Sequence, residues 1–170
     1  ETGDVIETWV STDTPHVIRG LHQGKTYVLT EDLAPLGYAL CQDVEFTVDG
    51  RNGVINKVEM KDELTVTKIS KVDSSSGRMI TGAKLLLIEK ESGEVIESWI
   101  STKEPHVIRG LHQGKTYVLQ EIEAPEGYIK GEDIEFTIDG SNSVVNAVSL
   151  ENIKMVPKTG ETGGDPIFGA

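Results

Sequence analysis

The sequence predicts an all-β chain: two tandem β-sandwiches, the first lacking its N-terminal strands. Two observations carry this. One long stretch recurs at a fixed offset, and short runs of alternating apolar and polar residues are separated by glycine-containing turns. Pro15 to Leu29 reappears without change as Pro105 to Leu119, an offset of 90 residues. At the same offset Glu1–Trp9 matches Glu91–Trp99, and Asp43–Gly50 matches Asp133–Gly140. This is a duplication. It divides the chain into a truncated repeat at 1–62, a complete repeat at 63–155 and a tail at 156–170. The segment from Leu64 to Lys90 has no counterpart in the first repeat, whose opening strands are expected upstream of Glu1. The absence of an initiating Met and the apolar turn at Ile167–Ala170 both read as ends of a piece of a longer chain.

Within the complete repeat, Ile134, Phe136 and Ile138 alternate with Glu135 and Thr137, the period of a half-buried strand. Ser-Gly, Asp-Gly and Gln-Gly pairs punctuate the runs. Strands are expected near 66–71, 83–89, 94–100, 106–110, 115–121, 133–138 and 144–151. That many short strands in one repeat suit an immunoglobulin-like or prealbumin-like β-sandwich.

Composition narrows the function. A formal charge of -12 argues against nucleic acid or an anionic membrane as partner, since both select for excess Lys and Arg. Cys41 is the single cysteine, which excludes an intramolecular disulfide and a C-x-x-C site. Two small cores without disulfides call for another staple. His16, His22, His106 and His112 form two repeat pairs without the convergence a metal site needs, and read as surface or turn residues. Trp9 and Trp99 read as core. Cys41 stands opposite Gly131 at the repeat offset and is expected to carry no shared role. No cofactor or metal is implied. No enzyme is expected either, because each candidate polar residue occupies a duplicated position.

Two inward-facing charges stand out. Glu121 shares a strand face with Tyr117 and Leu119, and Lys71 shares one with Ile69. A buried carboxyl or amine is costly unless it is paired or neutral. A buried Lys71–Glu121 salt bridge is one resolution, and Lys68 is a competing amine three residues earlier.

Tyr117-Val118-Leu119-Gln120-Glu121, running on to Ala124-Pro125-Glu126-Gly127-Tyr128, resembles the motif of the Cna-B family. These are the B-region domains of Gram-positive collagen adhesins and SpaA-type pilins. The first repeat carries the motif as Tyr27, Leu29, Glu31, Ala34, Pro35, Gly37 and Tyr38. Lys71-Val72-Asp73 with Gly82-Ala83 supplies the family's second element, and Lys71's spacing from these favours it over Lys68. The resemblance implies a spontaneous isopeptide bond in which Lys71 attacks the side chain of Asn152, assisted by Glu121. In the first repeat Glu31 and Asp62 match, with the lysine expected upstream of Glu1. Burial would favour a neutral amine and a protonated acid, and ammonia would leave.

Val156-Pro157-Lys158-Thr159-Gly160 resembles a Leu-Pro-x-Thr-Gly sorting signal, with Val in place of Leu. The resemblance implies sortase as a partner, and linkage of Thr159 to peptidoglycan or to another pilin subunit. Together these features predict a secreted, cell-wall-anchored stalk module or minor pilin. The alternative is an adhesin module that binds a host extracellular protein.

Overall fold

The protein is described from a computed structural model, in which residues 2–157 are described. Among the described residues every regular element is a strand: β1 (Thr26–Leu29), β2 (Tyr38–Ala39), β3 (Val44–Thr47), β4 (Glu63–Leu64), β5 (Val66–Asp73), β6 (Lys84–Glu89), β7 (Val95–Ile100), β8 (His106–Arg109), β9 (Thr116–Glu123), β10 (Tyr128–Ile129), β11 (Ile134–Thr137) and β12 (Val145–Lys154). The described residues separate into two compact units, 2–30 with 43–60, and 31–42 with 61–157. Residues 31–42 belong by sequence to the first repeat but cluster with the second unit.

In the first unit β1 and β3 form an antiparallel pair running from Thr26↔Thr47 to Leu29↔Val44. The duplication persists at the level of single hydrogen bonds. Thr26 and Thr47 hydroxyls meet at 2.9 Å, as do those of Thr116 and Thr137. The Tyr27 hydroxyl accepts from His22 N at 3.0 Å, and Tyr117 from His112 N at the same distance.

The second unit holds two four-stranded sheets, ordered β10-β12-β5-β8 and β11-β9-β6-β7. The predicted all-β sandwich is thus the observed one. Alternation fills the space between the sheets: Ile69, Leu85, Leu87, Ile108, Leu119 and Leu150 are all buried. Trp99 packs against this core from a half-buried position and also stacks on His106, with ring centroids 4.3 Å apart. His106 is therefore a strand residue with two partners, since its Nε2 also meets Glu97 Oε1 at 2.7 Å. The expectation of a plain surface or turn histidine is corrected on this point. Trp9, His16 and Glu7 repeat the arrangement in the first unit.

β5 and β12 lie side by side and parallel, in register from Val66↔Val145 to Asp73↔Asn152. Parallel neighbours need a long crossover, and here it is the remainder of the sandwich. β9 pairs with β6 and slips register between Leu85↔Glu121 and Lys84↔Glu123. The slip leaves Ile122 as the bulged residue, so Ile122 and Glu123 are both exposed while Glu121 stays inside. β10 is a strand the sequence reading left out. It forms after the bend at Gly127, whose φ of +85° only glycine adopts readily, and Tyr128 N closes that bend on Pro125 O at 3.1 Å.

Tyr128 then reaches across to the end of β5. Its hydroxyl donates to Asp73 Oδ2 at 3.0 Å, while Ser75 N and Ser76 N donate to Asp73 Oδ1 at 2.9 Å. The Ser76 N–H, then the Tyr128 hydroxyl and the Ser75 N–H, hold the Asp73 carboxyl below its ordinary value.

Two outcomes follow from this packing. Leu87→Ala, at a fully buried position, should cost about 2–5 kcal/mol in urea unfolding, whereas Val95→Ala, at an exposed one, should change little. Asp73 is depressed in the folded state. Its contribution is therefore complete above the unfolded-chain value and is lost as pH falls through the lower, folded one. The urea midpoint of the wild-type chain should accordingly exceed that of Asp73→Asn near neutral pH. The gap should close as pH drops below about 3.9, and a gap that persists in strong acid would sink the assignment.

Candidate functional site

The inward face of β5 reads Thr67, Ile69, Lys71 and Asp73, and that of β12 ends in Leu150 and Asn152. Because the two strands are parallel neighbours, Lys71 pairs with Leu150 and its side chain reaches one step further, to Asn152. Glu121 arrives from β9 in the opposite sheet. Lys71 is 1% exposed, and Glu121 and Asn152 are 0% exposed, so three polar side chains meet out of contact with solvent.

Lys71 Nζ donates to Asn152 Oδ1 in a very short contact and to the Leu150 carbonyl at 3.2 Å. Asn152 Nδ2 donates to Glu121 Oε1 at 2.9 Å. Glu121 Oε2 accepts from the backbone N–H of Gly131 at 2.6 Å. The nearest approach of Lys71 Nζ to Glu121 is 3.8 Å, so the amine sits on the amide rather than on the carboxylate. Burial pushes the Lys71 amine below its ordinary value, and the Glu121 charge opposes that shift.

Lys68, the competing amine, lies on the exposed face of β5. A recess of about 100 Å³ opens beside Lys71, with Ile69, Leu85, Trp99 and His106 in its wall. Among the described residues no cluster of three or more His, Cys, Asp or Glu is placed to hold a metal ion.

In the first repeat Glu31 is half-buried, and its Oε2 accepts from Cys41 N at 2.8 Å. Asp62, the counterpart of Asn152, is half-buried too. Sequence reasoning gave Cys41 and Gly131 no shared role, and the structure corrects this. Both present a backbone N–H to the motif glutamate. A side chain's identity carries no information about a role played by the main chain, so only the shared offset could have flagged it. Val156 and Pro157 are exposed beyond β12, while Lys158, Thr159 and Gly160 lie outside the described residues.

No curated protein matches this chain. Among solved structures, it is similar to BcpA, the major pilin subunit of Bacillus cereus, at 22% identity over 52% of this chain and 28% of that one, with a TM-score of 0.45. The Bacillus anthracis TIE protein is similar at 24% identity over 77% of this chain and 25% of its own, TM-score 0.49. The shaft pilin SpaA of Lactobacillus rhamnosus GG is similar at 14% identity over 77% and 65%, TM-score 0.45. The chain therefore spans about a quarter of the length of the first two. A family model describing the SpaA prealbumin-like fold domain matches residues 65–154, the stretch from the start of β5 to the end of β12, and with over half its length so matched the chain belongs to that family.

Proposed function

We propose that this chain is a Cna-B-type stalk module of a secreted, wall-anchored surface protein or pilus. In this reading its complete domain is locked by an isopeptide bond between Lys71 and Asn152. The observation that carries the reading is the buried contact of Lys71 Nζ with the Asn152 amide, on two strands that open and close the domain. Membership of the SpaA prealbumin-like family supports it.

The chemistry suits the geometry. Burial favours the neutral form of the Lys71 amine, and a neutral amine has the lone pair needed to attack Asn152 Cγ. The Nζ–Cγ bond forms and the Cγ–Nδ2 bond breaks. The amine proton passes through the Glu121 carboxyl, whose Oε1 faces Nδ2, and the nitrogen leaves as ammonia. Glu121 ends as it began. Holding amine and amide in contact replaces a slow bimolecular encounter and supplies most of the acceleration. By the entropy model used for disulfides, closing the loop from Lys71 to Asn152 contributes about 4.5 kcal/mol. That fills the place of the missing disulfide in a chain whose single cysteine is Cys41.

A plain Lys71–Glu121 salt bridge accounts less well for the site. It leaves unexplained why Asn152 lies between the two groups, bonded to both. Val156 to Gly160 follow the domain closely enough to serve as a sorting signal, with sortase joining Thr159 to peptidoglycan or to a further subunit.

The test is the intact mass of the purified chain. Wild type is expected to fall short of the sequence mass by one ammonia. Lys68→Met should show the same deficit, and Glu121→Ala and Lys71→Met should show none. A full-length mass for the wild type would leave an ordinary sandwich without a covalent lock.

A further inference from the structure

Gly131 lies between β10 and β11, and its N–H anchors Glu121 Oε2 at 2.6 Å. Its backbone is outside the left-handed region, so conformational freedom does not explain the glycine. Space does. A Cβ at this position would stand 2.8 Å from Asn152 Oδ1, 2.7 Å from Leu150 Cδ2 and 2.8 Å from the Glu151 carbonyl oxygen. Leu150 is packed in the core, and the Glu151 backbone is held by the β5–β12 ladder. The Glu151 oxygen is fixed by the backbone and Leu150 Cδ2 by core packing, so part of the displacement falls on Asn152 Oδ1, the oxygen that Lys71 Nζ contacts.

The first repeat presents the same site with the side chain added. Cys41 keeps the backbone anchor to Glu31 Oε2 at 2.8 Å, and its Sγ donates to the Lys61 carbonyl at 3.4 Å. Lys61 is the 90-residue counterpart of Glu151, so the Cys41 side chain lies against the same stretch of backbone that a Cβ at Gly131 would meet.

We infer that Gly131 is a positioning residue for the crosslink, admitting the Asn152 amide to Lys71 by having no side chain while its N–H fixes Glu121. The inference rests on the isopeptide reading. It also implies that the first repeat, with Cys41 in this place, seats its acceptor Asp62 less closely.

The experiment follows ammonia loss by intact mass after the full chain, assembled by chemical synthesis and held in urea so that it has never folded, is diluted into buffer. Tryptophan fluorescence reports the folded fraction in parallel. Wild type, Gly131→Ala, Gly131→Cys and the double variant Gly131→Ala/Leu150→Val are compared. The rate constant of ammonia loss within the folded fraction is expected to fall about tenfold to a hundredfold in both single variants. A purely structural role would lower the folded fraction and leave that constant unchanged.

The double variant removes the Leu150 Cδ2 clash, which protects the comparison against misfolding. It should fold and remain slow. A wild-type rate constant in Gly131→Ala, or its recovery in the double variant, overturns the positioning role alone. Absence of ammonia loss from the wild type overturns the isopeptide reading and this inference with it.

Discussion

The parallel pairing of β5 with β12 is the constraint on which the second unit depends. Parallel strands cannot be joined by a tight turn, so everything between Asp73 and Val145 must travel over both sheets and return. That journey places β6, β7, β9 and β11 in the second sheet and leaves β8 and β10 at the two edges of the first. It also sets which inward residues become neighbours. Lys71 and Asn152 are separated by most of the domain in sequence, yet adjacency and register alone bring them together.

The cost of that arrangement is a polar cluster in a small aliphatic core. A lysine, a glutamate and an asparagine with almost no solvent contact are tolerable only if each hydrogen-bonding group finds a partner. Here each does. The amine is held by an amide oxygen and a backbone carbonyl, the amide nitrogen by one carboxyl oxygen, and the other carboxyl oxygen by the Gly131 N–H. Asp73 and Tyr128 form a second linkage close by, tying the end of β5 to β10 through a side-chain pair whose two members belong to separate sequence motifs.

Much of this was legible in the sequence because the fold writes itself in alternation. Inward placement of Lys71 and Glu121 followed from their faces, shared with Ile69 and with Leu119, and both are buried as that rule demands. Three features were not legible. The bulge at Ile122 breaks the alternation through a register slip that a single strand cannot reveal. β10 is too short to show a period, and its position depends on β12, its ladder partner. The Gly131 contact is made by main chain and by the absence of a side chain, neither of which residue chemistry announces. His106 was misjudged for a related reason, since its partners Trp99 and Glu97 lie on a neighbouring strand of the other sheet.

The direction of the β5–β12 ladder has a mechanical corollary. The chain enters β5 at Val66 and leaves β12 at Lys154, and the two strands point the same way, so these points sit at opposite ends of the paired ribbon. Forces that separate them slide one strand along the other rather than peel it away. Sliding must rupture the hydrogen bonds of the whole register together, from Val66↔Val145 to Asp73↔Asn152, whereas peeling would break them singly in succession. A domain loaded in this shear geometry resists extension by the cooperativity of its ladder, before any covalent contribution is counted.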